Sequence, residues 1–551
     1  MSSTLMHDFM TRDWDVVVVG TGMGGATLGY ALAKAGKQVL FCEKGHSHLG
    51  ASNSVRGNYA ETFFDQISVP QLQHRNILSN AGRYQDQLED QSKLQPYRFI
   101  PFIGSGTGGS TALYGMALER FFPSDFLPFY SHPTAPGTTL PREWPISYET
   151  LVPYYKAAEQ LYRVHGSGDP MRGESKPEHF FRPPPLTPAS QELWEFLEGK
   201  GLHPYRLPMA CEYVPDCECC QGYLCAKNCK NDSARICLLP AISQYHAKLL
   251  DQCVVLKLEA SRHEVNSLIC SWRGEIVKLR ARTIVLAAGA LETPALLLRS
   301  SSSMWPQGLA NDSGLVGKNL MRHNIDLYVV SPREVGLIDN RQKELAFNDL
   351  YYRDGKKLGS VQTFGRLPPG SLLAESMEED IRNGKQRLAI PLFKLVKPMI
   401  KPFLNRLVSR NLVLATIMED LPYEDNFVKP SLTLPNSLII NYRMRPYELE
   451  RIATFRALMK DILKPYKVLR INQAENNERI AHVCGTCRFG TDPRESVLDS
   501  NNRAHGIANL YVIDSSFFPS SGGTNPGLTI AANALRVAEH LIGKNPSVKR
   551  K

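Results

Sequence analysis

The sequence lacks several features that would place it at once in a class of protein. No uninterrupted run of about 18 apolar residues occurs, so no transmembrane helix is predicted. The first 15 residues include acidic side chains and no apolar stretch, which argues against a secretory signal. There is no internal repeat and no arginine-rich arm with interleaved aromatic residues, so nucleic acid is not expected as a partner. We therefore expect a cytoplasmic protein.

The bulk composition places few further limits on function. The chain of 551 residues is 43% hydrophobic and 21% charged, which is enough apolar material for a large globular core. Its length allows about two to four domains, or one large α/β body with insertions. The net charge of +10 is modest for this length. It leaves open an acidic partner protein, peripheral attachment to an anionic membrane, and export together with a partner.

Cysteine is unevenly distributed along the chain. Of 12 cysteines, 7 fall between residues 211 and 237, and 5 of these lie in CECCQGYLCAKNC, residues 217–229. Disulfides are disfavoured because nothing marks the chain as exported. A structural zinc ion held by thiolates, an iron–sulfur cluster, and unligated thiols packed as small apolar groups are the other interpretations of this loop.

A dinucleotide-binding unit is predicted at the start of the chain. Residues 15–20 and 38–43 are typical of buried strands, and the glycines between them follow the pattern Gly20-x-Gly22-x-x-Gly25. The first glycine permits a tight turn, the second lets the backbone approach a pyrophosphate, and the third lets the helix pack against the strand. The helix that follows directs its positive N-terminus at the anion.

Three more residues complete this unit. Glu43 ends the second strand 23 residues after Gly20, where an acid accepts hydrogen bonds from ribose hydroxyls. Met23 and Gly24 open the helix beside the predicted pyrophosphate. A structural glycine-rich turn is the alternative, but the two strands and the acid together favour dinucleotide binding.

A second glycine-rich stretch, GSGTGGSTALYGM, occupies residues 104–116. It predicts either a loop that clamps the same cofactor from another side or a flexible loop. The residues assigned to the cofactor in this stretch are Gly108, Gly109, Ser110 and Tyr114.

The dinucleotide domain is predicted to be discontinuous, because strands of the same kind return late in the chain. The apolar segment TIVLAA, residues 283–288, ends at Ala288, and Gly289 then opens a helix-like segment. The segment LYVID, residues 510–514, is one more buried strand. Ala288 and Gly289 are therefore assigned to the cofactor.

The last fifth of the chain carries two further motifs, AHVCGTCRFG at 481–490 and DSSFFPSSGGTNPGLTI at 514–530. Together with GTGMGG and TIVLAAGALETP, they resemble the glucose–methanol–choline oxidoreductase superfamily. The resemblance extends from residue 15 to about residue 542 in the family's order. It implies FAD as the cofactor and a discontinuous, Rossmann-like FAD-binding α/β domain with an interleaved α+β substrate-binding domain.

The resemblance also implies where the two domains begin and end. The FAD-binding domain is assigned residues 1–120, 205–325 with the cysteine-rich loop, and 478–551 with the catalytic histidine. The substrate domain is assigned residues 121–204 and 326–477, whose Phe, Leu and Tyr content hints at a bulky or apolar substrate.

Two residues match the catalytic pair of the superfamily. His482, in H-x-x-G-T-C, corresponds to the catalytic histidine, and Asn525 to its partner. A neutral imidazole can take a hydroxyl proton near neutral pH while flavin N5 takes the hydride. Asn525 can hold the substrate oxygen by a hydrogen bond. His323 and His505 lie outside such motifs and are interpreted as structural.

Further flavin contacts follow from the same match. Asp514 precedes the last flavin-contacting turn, and Asn525 and Pro526 lie just before the final helix, whose positive end faces the flavin. Tyr114 stands where many members have asparagine. We expect its ring to pack against the isoalloxazine.

The cysteine-rich loop is similar to one in the catalytic subunits of bacterial flavin-dependent glucose dehydrogenases. In those relatives a three-iron cluster is held by cysteines that match Cys220, Cys225 and Cys229, and it passes electrons to a cytochrome or quinone. The resemblance implies that the pattern Cys219-Cys220-x4-Cys225-x3-Cys229 holds an iron–sulfur cluster here. Zinc, disulfides and packed thiols remain the alternatives.

The segment 385–410 carries seven positive charges, no negative charge and many apolar residues. It is interpreted either as a domain-packing excursion or as a docking surface for a membrane or an electron-transfer subunit. Three prolines are expected to break any long helix within it.

The sequence therefore predicts an FAD-dependent dehydrogenase that oxidises a CH–OH group of an alcohol or sugar. His482 acts as the base, and electrons leave to a quinone or cytochrome acceptor through the iron–sulfur cluster. An alcohol or sterol oxidase that uses molecular oxygen is the first alternative. A flavin-bound isomerase or lyase, or a non-catalytic subunit, is the alternative from another class.

Overall fold

The computed structural model describes residues 9–64, 72–93, 95–173, 179–333, 339, 341–383, 389–434, 436–480 and 482–543. Predictions for other residues, among them 1–8, 385–388 and 544–551, lie outside this description. The strands are β1 Asp13–Val19, β2 Val39–Cys42, β3 Leu88–Asp90, β4 Tyr97–Phe99, β5 Tyr205–Arg206, β6 Lys248–Leu250, β7 Cys253–Ala260, β8 Val265–Trp272, β9 Glu275–Leu286, β10 Asn324–Ser331, β11 Leu345–Phe347, β12 Tyr352–Arg353, β13 Lys356–Lys357, β14 Gly359–Thr363, β15 Leu412–Met418, β16 Phe427–Pro430, β17 Leu438–Asn441, β18 Lys467–Ile471 and β19 Leu510–Val512. The helices are α1 Met23–Lys34, α2 Leu72–Asn80, α3 Pro128–Ser131, α4 Tyr148–Leu161, α5 Pro188–Gly199, α6 Leu239–Ser243, α7 Gly289–Arg299, α8 Gly370–Asn383, α9 Ile390–Ser409, α10 Pro446–Ile462 and α11 Gly527–Gly543.

A seven-stranded sheet forms the first layer of the fold. Its order is β6-β2-β1-β9-β8-β7, with β19 also paired to β9. Strands β6, β2, β1, β9 and β19 are parallel to their neighbours, while β7, β8 and the first part of β9 form an antiparallel meander. The four valines of β1 are buried or nearly so, as expected for a parallel strand covered on both faces.

Strands from three distant parts of the chain meet in this sheet. Val19 of β1 pairs with Leu286 of β9, and Leu286 pairs in turn with Val512 of β19. Helices α1 and α11 pack against each other and belong to the largest hydrophobic core. The predicted fold class, a discontinuous Rossmann-like sheet with an interleaved α+β region, is confirmed.

A six-stranded antiparallel sheet forms the second layer. Its order is β18-β10-β15-β14-β11-β5, and its strands come from residues 205–471. One face carries a separate hydrophobic core with α5 and α10. A smaller sheet, β16-β17-β3-β4, joins residues near 90 to residues near 440. The exact domain boundaries given above remain predictions.

The segment 385–410 departs from expectation in one respect. A single helix, α9, runs from Ile390 to Ser409 through Pro398 and Pro402, so the prediction that prolines break it is wrong. Pro391 lies in the first turn, where a missing N–H is no loss. The other two prolines are four residues apart and both exposed, so their rings and the carbonyls they free face solvent on one side of the helix. Among the described helices, none combines the length and apolar character needed to cross a membrane.

Candidate active site

A cavity of about 920 Å³ lies between the two sheets. Its floor is formed by the turns that follow the parallel strands of the first sheet, and its roof by one face of the six-stranded sheet. Ligands in open α/β sheets bind at the carboxyl ends of the strands, which is where this floor lies. Most of the predicted site residues line the cavity: Gly20, Gly22, Met23, Gly24, Glu43, Gly109, Ser110, Tyr114, Ala288, Gly289, His482, Asp514, Asn525 and Pro526.

The first glycine turn is shaped by the absence of side chains. Gly20 has a φ of +99°, and a Cβ on Gly25 would lie 2.2 Å from the Gly20 carbonyl oxygen. A Cβ on Gly24 would lie 2.1 Å from the carbonyl oxygen of Ile513, so α1 packs directly on the strand that precedes Asp514. A Cβ on Gly22, by contrast, would meet nothing within 4 Å. The backbone is thus open to the cavity at the helix N-terminus.

The second glycine-rich stretch folds onto the first. Gly108 and Gly109 have φ values of +90° and +50°, and a Cβ on Gly109 would lie 3.1 Å from the Gly22 Cα atom. Gly104 donates its N–H to Ser110 Oγ over 3.1 Å, which holds this loop closed. The two turns therefore form one continuous wall of backbone.

Two buried carboxylates, Glu43 and Asp514, hold the turns of the floor in place by hydrogen bonds. Glu43 accepts hydrogen bonds from the Thr21 N–H at 3.1 Å and hydroxyl at 2.6 Å, and from the N–H groups of Gly45 and Gly106 at 3.0 and 3.1 Å. Burial nevertheless raises the pKa of Glu43. Its predicted hydrogen bonds to a ribose remain a prediction, because this chain's own donors already approach both oxygens.

Asp514 plays a similar part at the other end of the floor. Its Oδ2 atom accepts from the Gly289 N–H at 2.9 Å and from the Thr293 hydroxyl, and its Oδ1 atom accepts from the Ser516 N–H at 2.9 Å. Burial raises the pKa of this carboxyl. Asp514 therefore fixes the N-terminus of α7 against the turn after β19.

The floor fits a dinucleotide such as FAD in two respects. The N-termini of α1 and α7 both reach the cavity, and a helix N-terminus favours a phosphate anion. A Cβ added to Gly22 or to Gly289 would have no other heavy atom of the described chain within 4 Å, so the space in front of the backbone is open at both places. A ligand backbone can therefore approach the protein backbone closely there.

The roof is built by alternate residues of neighbouring strands. Strand side chains point to opposite faces in turn, so every second residue faces the cavity. The roof residues are Ile325 and Leu327 of β10, Gln362 of β14, Phe364 just beyond it, Ala415 and Ile417 of β15, Ile471 of β18, and Gln473 just beyond it. This surface is mostly apolar, and α8 borders it with Leu372 and Leu373.

His482 lines the cavity on a strained turn. Its φ is +55°, which is uncommon for a residue other than glycine and typical of functional sites that are held in place by their surroundings. The neighbouring Cys484 is bridged to Met321 by two backbone hydrogen bonds of 3.0 Å, which anchor this turn to the chain before β10.

The ring of His482 is held by a second histidine. His323 Nδ1 lies 2.8 Å from His482 Nδ1, and His323 Nε2 lies 3.1 and 3.0 Å from the carbonyl oxygens of Ser521 and Gly522. Carbonyl oxygens can only accept, so His323 carries its proton on Nε2 and accepts at Nδ1. His482 must then donate from Nδ1, which leaves a lone pair on Nε2.

Both rings are neutral near neutral pH. Burial lowers the pKa of His323 to about 4. Burial also holds the pKa of His482 well below its usual value, and a positive charge on His323 or Lys343 would lower it further. The tautomers assigned above are therefore consistent with the electrostatics of the site. His323, interpreted above as structural, therefore contacts His482 and fixes the orientation of its ring.

Asn525 is positioned by the roof. Its Nδ2 atom donates to Gln362 Oε1 over 2.8 Å, and both residues are buried. This bond fixes the amide orientation, because an acceptor must face the donor nitrogen. The second N–H of Asn525 Nδ2 remains able to donate a hydrogen bond at the cavity. Gln362 has no motif around it, so the sequence did not indicate it.

Two other predicted residues have defined positions. The Tyr114 hydroxyl donates to the Asn231 carbonyl oxygen over 2.7 Å while its ring lines the cavity. His505 Nε2 lies 2.9 Å from Ser496 Oγ and does not line the cavity, in keeping with a structural part.

The cysteine-rich loop gathers more thiols than the predicted ligand set. Cys217 Sγ lies 3.7 Å from Cys211 Sγ, 4.0 Å from Cys219 Sγ and 3.0 Å from Cys229 Sγ. Cys225 Sγ lies 3.4 Å from Cys229 Sγ. Within the described chain, the triad Cys211, Cys217 and Cys229 is close enough to share one metal ion. This triad shares only Cys229 with the predicted ligands Cys219, Cys220, Cys225 and Cys229, and all six thiols are free and buried.

The geometry described so far defines a flavoprotein oxidoreductase of the GMC type, and comparison with known families agrees. The model of the N-terminal part of GMC oxidoreductases matches residues 15–325, and that of the C-terminal part matches residues 422–534. The chain belongs to the GMC oxidoreductase family. Family membership implies FAD as its cofactor.

Several individual proteins are similar over almost the full chain. Paromamine 6'-oxidase of Streptomyces fradiae is 29% identical, covering 97% of this chain and 92% of its own. The 6'''-hydroxyparomomycin C oxidase of Streptomyces lividus is 30% identical, covering 96% and 92%. The fructose dehydrogenase large subunit of Gluconobacter japonicus is 24% identical, covering 97% and 98%.

A solved structure shares the fold. The crystal structure of pyridoxine 4-oxidase from Mesorbium loti has a TM-score of 0.61 to this chain at 20% identity, covering 96% of this chain and 99% of the other.

Proposed function

We propose that this enzyme oxidises a CH–OH group of an alcohol or sugar to the carbonyl, with His482 as the base. The observation that carries the proposal is the histidine pair. His323 fixes His482 so that a bare Nε2 remains, and His482 lines the same cavity as Asn525 and the FAD-binding floor. The relatives named for oxidation of paromamine, 6'''-hydroxyparomomycin C and fructose support this class of reaction.

The chemistry requires that a proton and a hydride leave the same CH–OH group. FAD supplies the hydride acceptor when bound. His482 Nε2 takes the hydroxyl proton, and its Nδ1–H, held by His323, keeps the ring oriented while the ring becomes positive. The substrate thus loses two electrons as hydride and one proton to the imidazole, and its C–O bond becomes a carbonyl.

Asn525 orients the oxygen that loses its proton. The Asn525 amide is fixed by Gln362, which takes one N–H of Nδ2 and leaves the second N–H to donate to the substrate oxygen as that oxygen loses its proton. An amide does not titrate near neutral pH and therefore does not compete with His482 for the proton.

We further propose that the cysteine-rich loop holds a metal centre, an iron–sulfur cluster, that carries electrons to a quinone or cytochrome acceptor. The close group of buried thiols supports a shared ligand set. Iron analysis and electron paramagnetic resonance on anaerobically purified protein test this. Near-stoichiometric iron with a cluster signal is expected, whereas zinc or no metal would exclude the cluster.

Helix α9 is proposed as the docking surface for a membrane or an electron-transfer subunit. One stripe of α9 is apolar and more than 60% exposed; it consists of Leu392, Leu395, Met399 and Phe403. Phe393 and Leu404, on another side of the helix, are buried. Helix α8, which packs against α9, borders the cavity. Docking on α9 would therefore bring an electron acceptor near the active site. Replacing Leu395, Met399 and Phe403 by serine should abolish flotation with phospholipid vesicles, if α9 binds a membrane.

Anaerobic reduction of the bound flavin tests the main proposal. One equivalent of a suitable alcohol or sugar should bleach the flavin permanently and yield the carbonyl product. A panel of alcohols, polyols and sugars that leaves the flavin oxidised would favour an isomerase, a lyase or a non-catalytic subunit instead. Comparing reoxidation by oxygen and by a quinone then separates an oxidase from a dehydrogenase.

A further inference from the structure

Lys343 is a buried cation that the proposed reaction does not use. It precedes β11, is 8% exposed and lines the cavity together with His482 and Asn525. Its ammonium lies 5.4 Å from the centre of the Phe364 ring, which belongs to the roof. Lys343 therefore reaches into the substrate side of the cavity.

The ammonium faces a second polar atom that lacks a partner. A Cβ on Gly115 would lie 2.1 Å from Lys343 Nζ and 2.5 Å from Gln221 Oε1, so both atoms lie over this glycine beside Tyr114. Gln221 also lines the cavity, and its Oε1 atom is buried with no hydrogen-bond partner in the structure. Two polar side chains thus converge on one place where the backbone carries no side chain.

The other buried lysines of the described chain are compensated, but Lys343 is not. Lys357 lies 2.6 Å from Asp125 and 2.7 Å from Glu419. Lys230 donates to the carbonyl oxygens of Ala112 and Tyr223 at 2.8 and 3.1 Å. Among the described residues, neither a hydrogen bond nor an ion pair reaches Lys343 Nζ. A buried charge without a counter-ion is unfavourable, so a ligand group that supplies one would be bound strongly.

The pKa of Lys343 is also that of a buried amine without a neighbouring counter-ion among the described residues. Burial and, to a smaller extent, the positive charge of Lys230 lower the pKa of Lys343 to about 7, while Cys219 acts in the opposite direction. The charge of Lys343 also helps to lower the pKa of His482. Lys343 and His482 line the same cavity, so one substrate can contact both.

We propose that Lys343 is an anion subsite that binds a carboxylate or similar oxyanion on the alcohol substrate, while Gln221 Oε1 accepts a hydrogen bond from a hydroxyl of the same substrate. The inference rests on the proposed function, since it names the class of alcohol that the same cavity takes. The substrate would be a hydroxy acid or another alcohol with an acidic group, bound with its apolar part against the roof. Cationic alcohols would be repelled.

Binding of unreactive probes tests this without any turnover. Hexanoate, hexanamide and hexylamine have the same apolar chain, and each can be titrated into the FAD-loaded enzyme while the flavin absorbance is followed. We expect hexanoate to bind at least about tenfold more tightly than hexanamide, and hexylamine to bind most weakly. Equal affinities for hexanoate and hexanamide in the unaltered enzyme would overturn the proposal.

Variants locate the preference. Lys343→Met should remove the preference for hexanoate, whereas Lys343→Arg should retain most of it. Lys460→Met is the matched control, because Lys460 is exposed on α10 and does not line the cavity. A preference that survives in Lys343→Met would overturn the proposal. If Lys343→Met also loses metal from the cysteine-rich loop while it keeps the preference, the role of Lys343 is to stabilise that loop and not to bind substrate.

The proposed function can fail separately. If no alcohol bleaches the flavin but hexanoate is still preferred through Lys343, the reaction class is wrong and the anion subsite stands. If alcohols bleach the flavin while hexanoate and hexanamide bind equally, the reaction stands and the subsite is wrong.

Discussion

The floor and the roof of the cavity are built by different means. The floor consists of backbone turns whose shape depends on missing side chains, as at Gly20, Gly25 and Gly109. The roof consists of side chains at every second position of four strands, such as Leu327 and Ile417. The floor therefore tolerates almost no change, whereas the roof can change one contact at a time without disturbing its neighbours.

The largest expected effect is on the floor. Gly25→Ala places a methyl group 2.2 Å from the Gly20 carbonyl oxygen and 2.9 Å from the Ala287 Cβ atom. Backbone cannot move aside cheaply, so we expect a loss of about 1–3 kcal/mol or more in unfolding free energy and little bound FAD. Thermal unfolding and flavin content measure this. Gly199→Ala is the control, because its Cβ would meet nothing within 4 Å, and equal flavin content in both variants would contradict the prediction.

The next largest effect is expected where the floor meets the reacting group. His482→Ala removes the base, and general base catalysis contributes about 10²- to 10⁴-fold to rate. Anaerobic flavin reduction in stopped flow should slow by that factor with FAD still bound. His505→Gln should leave the rate unchanged, because His505 contacts Ser496 away from the cavity. A His482→Ala variant that reduces flavin at the normal rate would show that another group is the base.

A smaller effect on the rate of flavin reduction is expected for replacement of His323, which contacts His482. His323→Ala removes the acceptor that holds His482 Nδ1–H, so the imidazole loses its fixed tautomer and orientation. By analogy with orienting partners of metal-bound histidines, the rate should fall by about 10- to 100-fold, less than for His482→Ala. A pH profile distinguishes this from simple misfolding, because the acid limb should also move. An unchanged rate and profile would mean that the histidine pair has no part in catalysis.

Changes in the roof should act on binding. Ile417→Ala removes apolar contact from the cavity, and such contacts are worth about 1–3 kcal/mol in substrate discrimination. We expect KM to rise by about 5- to 150-fold with kcat and flavin content nearly unchanged. Val468→Ala, on β18 but partly exposed and outside the cavity lining, is the control. A fall in kcat alone would contradict the separation between floor and roof.

The smallest effect is expected from mild acid. Because the pKa of His482 is held well below its usual value, the ring stays neutral as the pH falls through 6.5. The limiting rate constant for flavin reduction at saturating substrate should therefore change by less than about twofold between pH 8 and pH 6.5, because Lys343, whose pKa of about 7 lies in this range, acts on binding. An acid limb centred at or above pH 6.5 would show that the histidine is not the desolvated base described above.

The floor could be predicted from the sequence because its function depends on short runs of consecutive residues. The glycine pattern from Gly20 to Gly25, and the motifs around His482 and Asn525, each lie within a few positions. The roof could not be predicted in this way. Gln362 meets Asn525 across 163 residues, and His323 meets His482 across 159, so neither pair leaves a local pattern.

The remaining differences have similar causes. Cys211 and Cys217 join Cys229 because the loop folds back on itself, and spacing alone pointed to nearer neighbours. Helix α9 continues through Pro398 and Pro402 because these prolines share one exposed side, which a count of prolines does not show. Local chemistry was thus predictable, and long-range contact was not.

The central sheet joins the beginning, the middle and the end of the chain. Strand β1 pairs with β9, and β9 pairs with β19, so the floor beneath the cofactor is incomplete until β19 has been synthesised. Pairing over such separations carries a large loop-closure cost and slows folding. On the ribosome, the flavin pocket can therefore close only near the end of synthesis. A shortened chain that lacks β19 would be released without a finished place for FAD.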